Sequence, residues 1–190
     1  MKKLTVVIGG VYSGKTLFGA NLALDNALDG NGSVDVFYFN DEHIPAILKE
    51  PTSSTLSYYL TNLNDIGEVT KDVINQRVMA GESISVIVDG SMSDDDIVKL
   101  LSDITALEES VGFTVVSLTL ILNGKIRYPT VSEHVGSIDW VERGRLFGVL
   151  NGLNNLLPGR IDEFVVTCTI NGLWGSYKID PKNIATLAPA

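Results

Sequence analysis

The feature that most constrains the fold lies within the first thirty residues. A short β-branched apolar run, Leu4–Gly9 (LTVVIG), feeds a glycine-rich loop that opens directly into a stretch of helical spacing from Lys15 to about Leu28. The loop, Gly9-Gly10-Val11-Tyr12-Ser13-Gly14-Lys15-Thr16, meets the pattern Gly-x4-Gly-Lys-Thr in full. Each part of that pattern has a chemical reason. Glycines let backbone N–H groups turn inward around an anion, and the helix that follows presents its positive end to the same point. Gly9, Gly10, Ser13, Gly14, Lys15 and Thr16 are therefore candidate nucleotide-binding residues. Lys15 is expected on the β- and γ-phosphates, and the Thr16 hydroxyl on Mg²⁺. The implied ligands are ATP or another nucleoside triphosphate, with Mg²⁺.

Further along, apolar runs alternate with helical spacing. VDVFYF (34–39) reads as a second buried strand ending at Asn40-Asp41-Glu42, SISVIVDG as a third closing on Asp89-Gly90, and FTVVSLTLIL as a fourth. Helices are expected over 66–80, from Ser93 with Asp96 three residues on as a cap, and from about Trp140 to Leu156. The region from His43 to Asn64, punctuated by Pro, Ser and Thr, reads as short helices only. EFVVTCTINGLWGSYKID forms two alternating runs joined by Asn171-Gly172, a hairpin signal. The expected fold is α/β: one domain over 1–190, a mostly parallel sheet flanked by helices, closed by a C-terminal antiparallel hairpin.

A nucleotide machine needs two more carboxylates. Asp89, closing the third strand, is the candidate Mg²⁺-side group, since a neighbouring strand end is where that role is filled. Many motor NTPases place a glutamate directly after that aspartate, but Gly90 stands there. The carboxylate that positions water then comes from elsewhere: Glu42, at the end of the second strand, fits as general base, with Asp41 second. A GTPase reading fails for want of a guanine-reading Asn-Lys-x-Asp after the fourth strand, where only Asn123-Gly124-Lys125 occurs. A small-molecule kinase reading fails for want of an arginine-rich lid.

Composition narrows the partners. One cysteine, Cys168, excludes an internal disulfide, and with only His43 and His134 beside it a zinc site is not expected. A reducing, intracellular setting follows as the default, and no apolar run reaches the length of a membrane span. The net charge of −9 argues against a monomer that coats nucleic acid through a basic face. The charge is uneven, with 17 acids and 7 bases over 1–120 against 6 acids and 7 bases over 121–190. A polyanion would meet the C-terminal third first.

The order of parts resembles the hexameric RNA-packaging NTPases of double-stranded RNA bacteriophages (cystoviruses), within the RecA-like superfamily. The resemblance rests on the glycine loop, the strand ending in Glu42, the strand ending in Asp89, the run IVKLLSDITALEESVGFTVVSLTL and the terminal hairpin. It implies a RecA-like core that assembles as a homo-oligomeric ring, hexameric in the family. NTP hydrolysis would then drive single-stranded RNA into a procapsid, with a capsid vertex as a further partner and a host-cytoplasmic or virion-associated location. RecA-like NTPases carry the catalytic glutamate on the strand beside the phosphate-loop strand, which the resemblance assigns to Glu42. A polar sensor ends the fourth strand in the family. Here it falls on Thr119, or on Asn123 if the strand runs longer, and Lys125 and Arg127 take the place of the RNA-gripping loop. Arginine fingers near the family's hairpin have no counterpart, since only Lys178 and Lys182 occur there, so the finger falls to Arg143, Arg145 or Arg160. Two other readings stand beside this one: a nucleotide-binding assembly switch with little hydrolysis, and a DNA-packaging or recombination ATPase on the same core.

Overall fold

The computed structural model describes residues 1–10, 12–29, 33–41, 55–61, 65–126, 131–132, 140–170 and 173–187. Its elements in chain order are β1 (Leu4–Gly9), α1 (Lys15–Asp29), β2 (Asp35–Asn40), β3 (Leu56–Leu60), α2 (Ile66–Arg77) and β4 (Ser83–Gly90). Then come α3 (Asp94–Val111), β5 (Thr114–Leu122), β6 (Val131–Ser132), α4 (Trp140–Leu156), β7 (Glu163–Ile170) and β8 (Leu173–Ile179), with a closing 3₁₀ turn at Pro181–Leu187.

The strands form one sheet in the order β3-β2-β4-β5-β1-β7-β6, with β8 paired to β7. Among the described residues only the β7–β8 pair is antiparallel. The fold class expected from the sequence is therefore the one observed, closing hairpin included. Ile170 and Leu173 face each other across that hairpin, so its connection is two residues long. Along β7, β8 runs the length of one edge. The other edge carries β1 opposite 163–167 and then β6 opposite 169–170. The last turn of β7 thus projects past the point where β1 gives way to the glycine loop.

β1 is buried throughout, as a strand flanked on both faces must be. Its alternation divides the core. Val7 joins Tyr38, Ile87, Ile121 and Val165 beneath Ala20, Ala23 and Ala27 of α1. Val6 and Ile8 face the other way, into a larger cluster built with Ile74 of α2, Leu100 and Ile104 of α3 and Leu150 of α4. The helix α3 starts on the expected cap: Ser93 Oγ accepts from Asp96 N at 3.1 Å, and Asp96 Oδ2 accepts from Ser93 N at 3.1 Å. The Ser93 hydroxyl, donating to Asp96 Oδ2 at 2.6 Å, and then the Ser93 N–H hold the Asp96 carboxyl below the usual aspartate range.

Two expectations are corrected. Residues 56–60 form a strand, not a short helix: LSYYL adds parallel to β2, with Tyr58 stacked on Tyr38 at 5.4 Å and Tyr59 on Phe39 at 5.0 Å. A half-buried edge position suits such aromatics, and cross-strand stacking outweighs the loop-like flanks. The second correction concerns neighbours. β2 does not lie beside β1, because β4 and β5 stand between them. What lies beside β2 is β4, the strand that ends in Asp89.

Candidate nucleotide site

All five central strands point their carboxyl ends toward one edge of the sheet. From β1 the chain crosses to β2 on one side, while from β5 it returns across β1 to β7 on the other. Such a reversal leaves a crevice at the strand ends, where α/β sheets take their ligands. The glycine loop fills that crevice.

The loop is shaped as a concavity for an anion. Gly14 has φ 81° and Tyr12 has φ 58°, both left-handed. For Gly14 this is free; for Tyr12 it costs about 1–2 kcal/mol, a strain that the surrounding structure must hold. α1 begins at Lys15, and its first turn carries no acidic residue to offset the positive end. Lys15 Nζ donates to Gly9 O at 3.1 Å and Gly10 O at 2.7 Å, so the ammonium lies folded over the loop's own carbonyls. The Ser13 hydroxyl is buried and sits 2.8 Å from Thr167 Oγ1 on β7, tying the loop to the neighbouring strand. Gly9 leaves room for that pair, because a Cβ there would strike both hydroxyls and come within 2.7 Å of the Thr167 carbonyl.

Asp89 is fully buried two strands away from β1. The alternation of β4 sets it on the same face as Ile87, which is the α1 face, and there Thr16 hydrogen-bonds it. Tyr38 Oη donates to Asp89 Oδ2 at 2.8 Å, Asn40 Nδ2 to the same oxygen at 3.0 Å, and Asn123 Nδ2 to Oδ1 at 3.1 Å. Burial pushes the Asp89 carboxyl above the usual aspartate range, and the four donors pull it back. Desolvation and the Asp89 charge together push the Tyr38 hydroxyl far above the ordinary tyrosine range, so Tyr38 stays a donor. The linkage has a definite sign. An acid whose pKa is raised by folding favours the folded state below its unfolded value, and that contribution is lost as pH rises. Burial makes the charged form of Asp89 costly, and a cation beside it would offset that cost.

The chain leaving β2 is pinned to the same strand end. Asp41 Oδ2 accepts from Ser91 N at 2.6 Å, and Asp41 N donates to Asp89 O at 3.2 Å. The Asp41 carboxylate lies against Gly90, where a Cβ would come within 2.6 Å of Oδ2. A glycine after Asp89 is thus a steric requirement of Asp41. The glutamate common at that position in many motor NTPases has no room here.

The candidates from sequence separate clearly. Lys15, Thr16, Asp89 and Asn123 come together, and Asn123 directly follows β5. Thr119 does not: β5 runs on to Leu122, which leaves Thr119 buried within the strand opposite Ile87. Lys125 Nζ pairs with Asp94 Oδ1 at 2.5 Å at the start of α3. Arg160 precedes β7 and donates to Thr105 of α3 at 3.3 Å, at the opposite end of the sheet from the glycine loop. Arg145 is exposed in the second turn of α4. Glu42, Arg127 and the side chain of Arg143 lie outside the described residues. Tyr38 and Asn40 were not singled out by sequence reasoning. Their signal is two polar-tipped residues at i, i+2 near the end of a strand, but its meaning requires the register Asn40↔Asp89.

A pocket of about 560 Å³ opens over the loop, lined by Ser13, Gly14, Lys15, Thr16, Asn123 and Trp174 among others. Among the described residues no group of three or more His, Cys, Asp or Glu side chains is placed to hold a metal. One buried carboxylate beside one hydroxyl is still a fitting start for Mg²⁺, which takes oxygen donors and commonly relies on one or two carboxylates plus phosphates.

The fold has a counterpart among known structures. The ATPase DotB of Legionella pneumophila superposes on 98% of this chain with a TM-score of 0.52 at 10% sequence identity. The fold is shared with that ATPase. This chain spans about half of DotB, 51% of its length. No protein-family model and no curated protein matches the chain by sequence.

Proposed function

We propose that the chain is a Mg²⁺-dependent nucleoside triphosphatase. The observation that carries this reading is the convergence of Lys15, Thr16 and Asn123 on one pocket at the mouth of a glycine loop, with buried Asp89 bonded to both Thr16 and Asn123. Lys15 would release the Gly9 and Gly10 carbonyls and bind phosphate oxygens, while Thr16 and Asp89 would hold the metal directly or through water. Bound Mg²⁺ would neutralise charge building on the β- and γ-phosphates. Asn123 orients the Asp89 carboxylate and lies next to the pocket, which suits a sensor of the terminal phosphate. Glu42 is our general base, because Asp41 beside it is committed to Ser91 and Gly90.

Within this reading we favour a ring-forming motor that moves nucleic acid, single-stranded RNA first, as the resemblance to packaging NTPases implies. The loop that leaves Asn123 supports the coupling, since Lys125 follows the sensor by two residues and closes on Asp94 by an exposed ion pair. Phosphate loss felt at Asn123 would reach that pair directly. A slow nucleotide switch is the second reading, favoured by the want of an arginine near the terminal hairpin, where only Lys178 and Lys182 occur. Steady-state hydrolysis with and without single-stranded RNA or DNA separates the two. The motor predicts turnover stimulated several-fold by RNA, reduced by Lys125→Ala. Tight nucleotide binding with slow turnover indifferent to either polymer favours the switch.

A further inference from the structure

The triphosphate cradle leaves the nucleoside end unassigned, and an exposed tryptophan stands where that end must lie. Trp174, on β8, is 63% exposed although it packs on the loop: a Cβ on Gly14 would come within 2.9 Å of its Cγ. It lines the 560 Å³ pocket over Lys15 and Thr16. It also borders a second hollow of about 170 Å³, shared with Leu17, Phe18, Asn21 and Ser176.

The sheet order fixes the direction of a bound triphosphate. β1 lies between β5 and β7. Asn123 and Asp89, the metal and terminal-phosphate side, follow from β5 and β4; Thr167 and Trp174 stand on β7 and β8, across the loop. Lys15 serves the β- and γ-phosphates, so the α-phosphate sits toward the first turn of α1. The nucleoside then leaves past Leu17 and Phe18, toward β8. We infer that Trp174 is the stacking platform for the nucleobase, with the hollow between α1 and β8 receiving the base edge. This rests on the nucleoside triphosphatase reading above and names the part of the ligand that the cradle cannot grip.

An indole face accepts any base, so the site takes purine and pyrimidine nucleotides alike through stacking, while Asn21, Ser176 and the Trp174 indole N–H offer side-chain hydrogen-bonding groups at the hollow and Ser13 and Thr167 bond each other. Stacking of this kind changes affinity by about ten-fold or more.

The test compares equilibrium binding of Mg²⁺–ATP and Mg²⁺–tripolyphosphate to the wild-type chain, Trp174→Ala and Trp174→Phe. Expected is a loss of about ten-fold in ATP affinity for Trp174→Ala, most of it restored by Trp174→Phe, with tripolyphosphate binding unchanged. An equal loss for both ligands would mean that Trp174 only props the loop, and no loss for either would mean that it touches nothing; each overturns the platform. Should wild-type protein bind neither ligand, the phosphate cradle itself fails, a distinct result from failure of the platform.

Discussion

Replacing Lys15 by alanine is expected to reduce NTP turnover by at least about 10²–10³-fold, the scale set by removing one preorganised group that stabilises developing charge. In the free protein its ammonium bonds the carbonyls of Gly9 and Gly10. Each such bond contributes about 1 kcal/mol to stability, so the variant should fold and unfold almost as the wild type does. That combination is informative. A large loss of turnover with a near-normal melting transition locates the defect in phosphate binding. Full turnover would show that the loop is an ordinary strand-to-helix turn.

The second large effect concerns the base. Glu42→Gln should keep nucleotide affinity within a few-fold and lower turnover by about 10²–10⁴-fold, the usual contribution of a positioned proton acceptor. Asp41→Asn serves as its control. Asp41 accepts from Ser91 N at 2.6 Å and packs on Gly90, so its loss should act through stability, loosening the join between β2 and β4. Single-turnover and thermal-unfolding measurements on both variants distinguish chemistry from structure. Were Glu42→Gln to hydrolyse normally while Asp41→Asn bound nucleotide without turnover, the base would be Asp41.

What could be read from the sequence was local. The run LTVVIG, the loop and the helix after it follow each other without a gap, and backbone sterics with helix-end electrostatics leave few alternatives. Asp89 closing a buried strand, the Ser93 cap and the two-residue hairpin were legible for the same reason. What depended on strand order was not legible. Nothing in VDVFYF says which strand it pairs with, and the assumption that it neighbours β1 failed because two later strands insert between them. The strand at 56–60 was hidden by Pro51 and the Thr/Ser run before it, and its partners Tyr38 and Phe39 are contributed by β2. Strand ends are blurred by a few residues, which is why Thr119 competed with Asn123. Asp89's ring of donors, drawn from β2, α1 and the end of β5, could emerge only from register.

The most direct test of the account is phosphate release from ATP by the purified chain, measured with Mg²⁺ and with the metal chelated. The arrangement of Lys15, Thr16 and Asp89 predicts saturable release that requires Mg²⁺. Absence of both nucleotide binding and release, in protein shown to be folded, would contradict it.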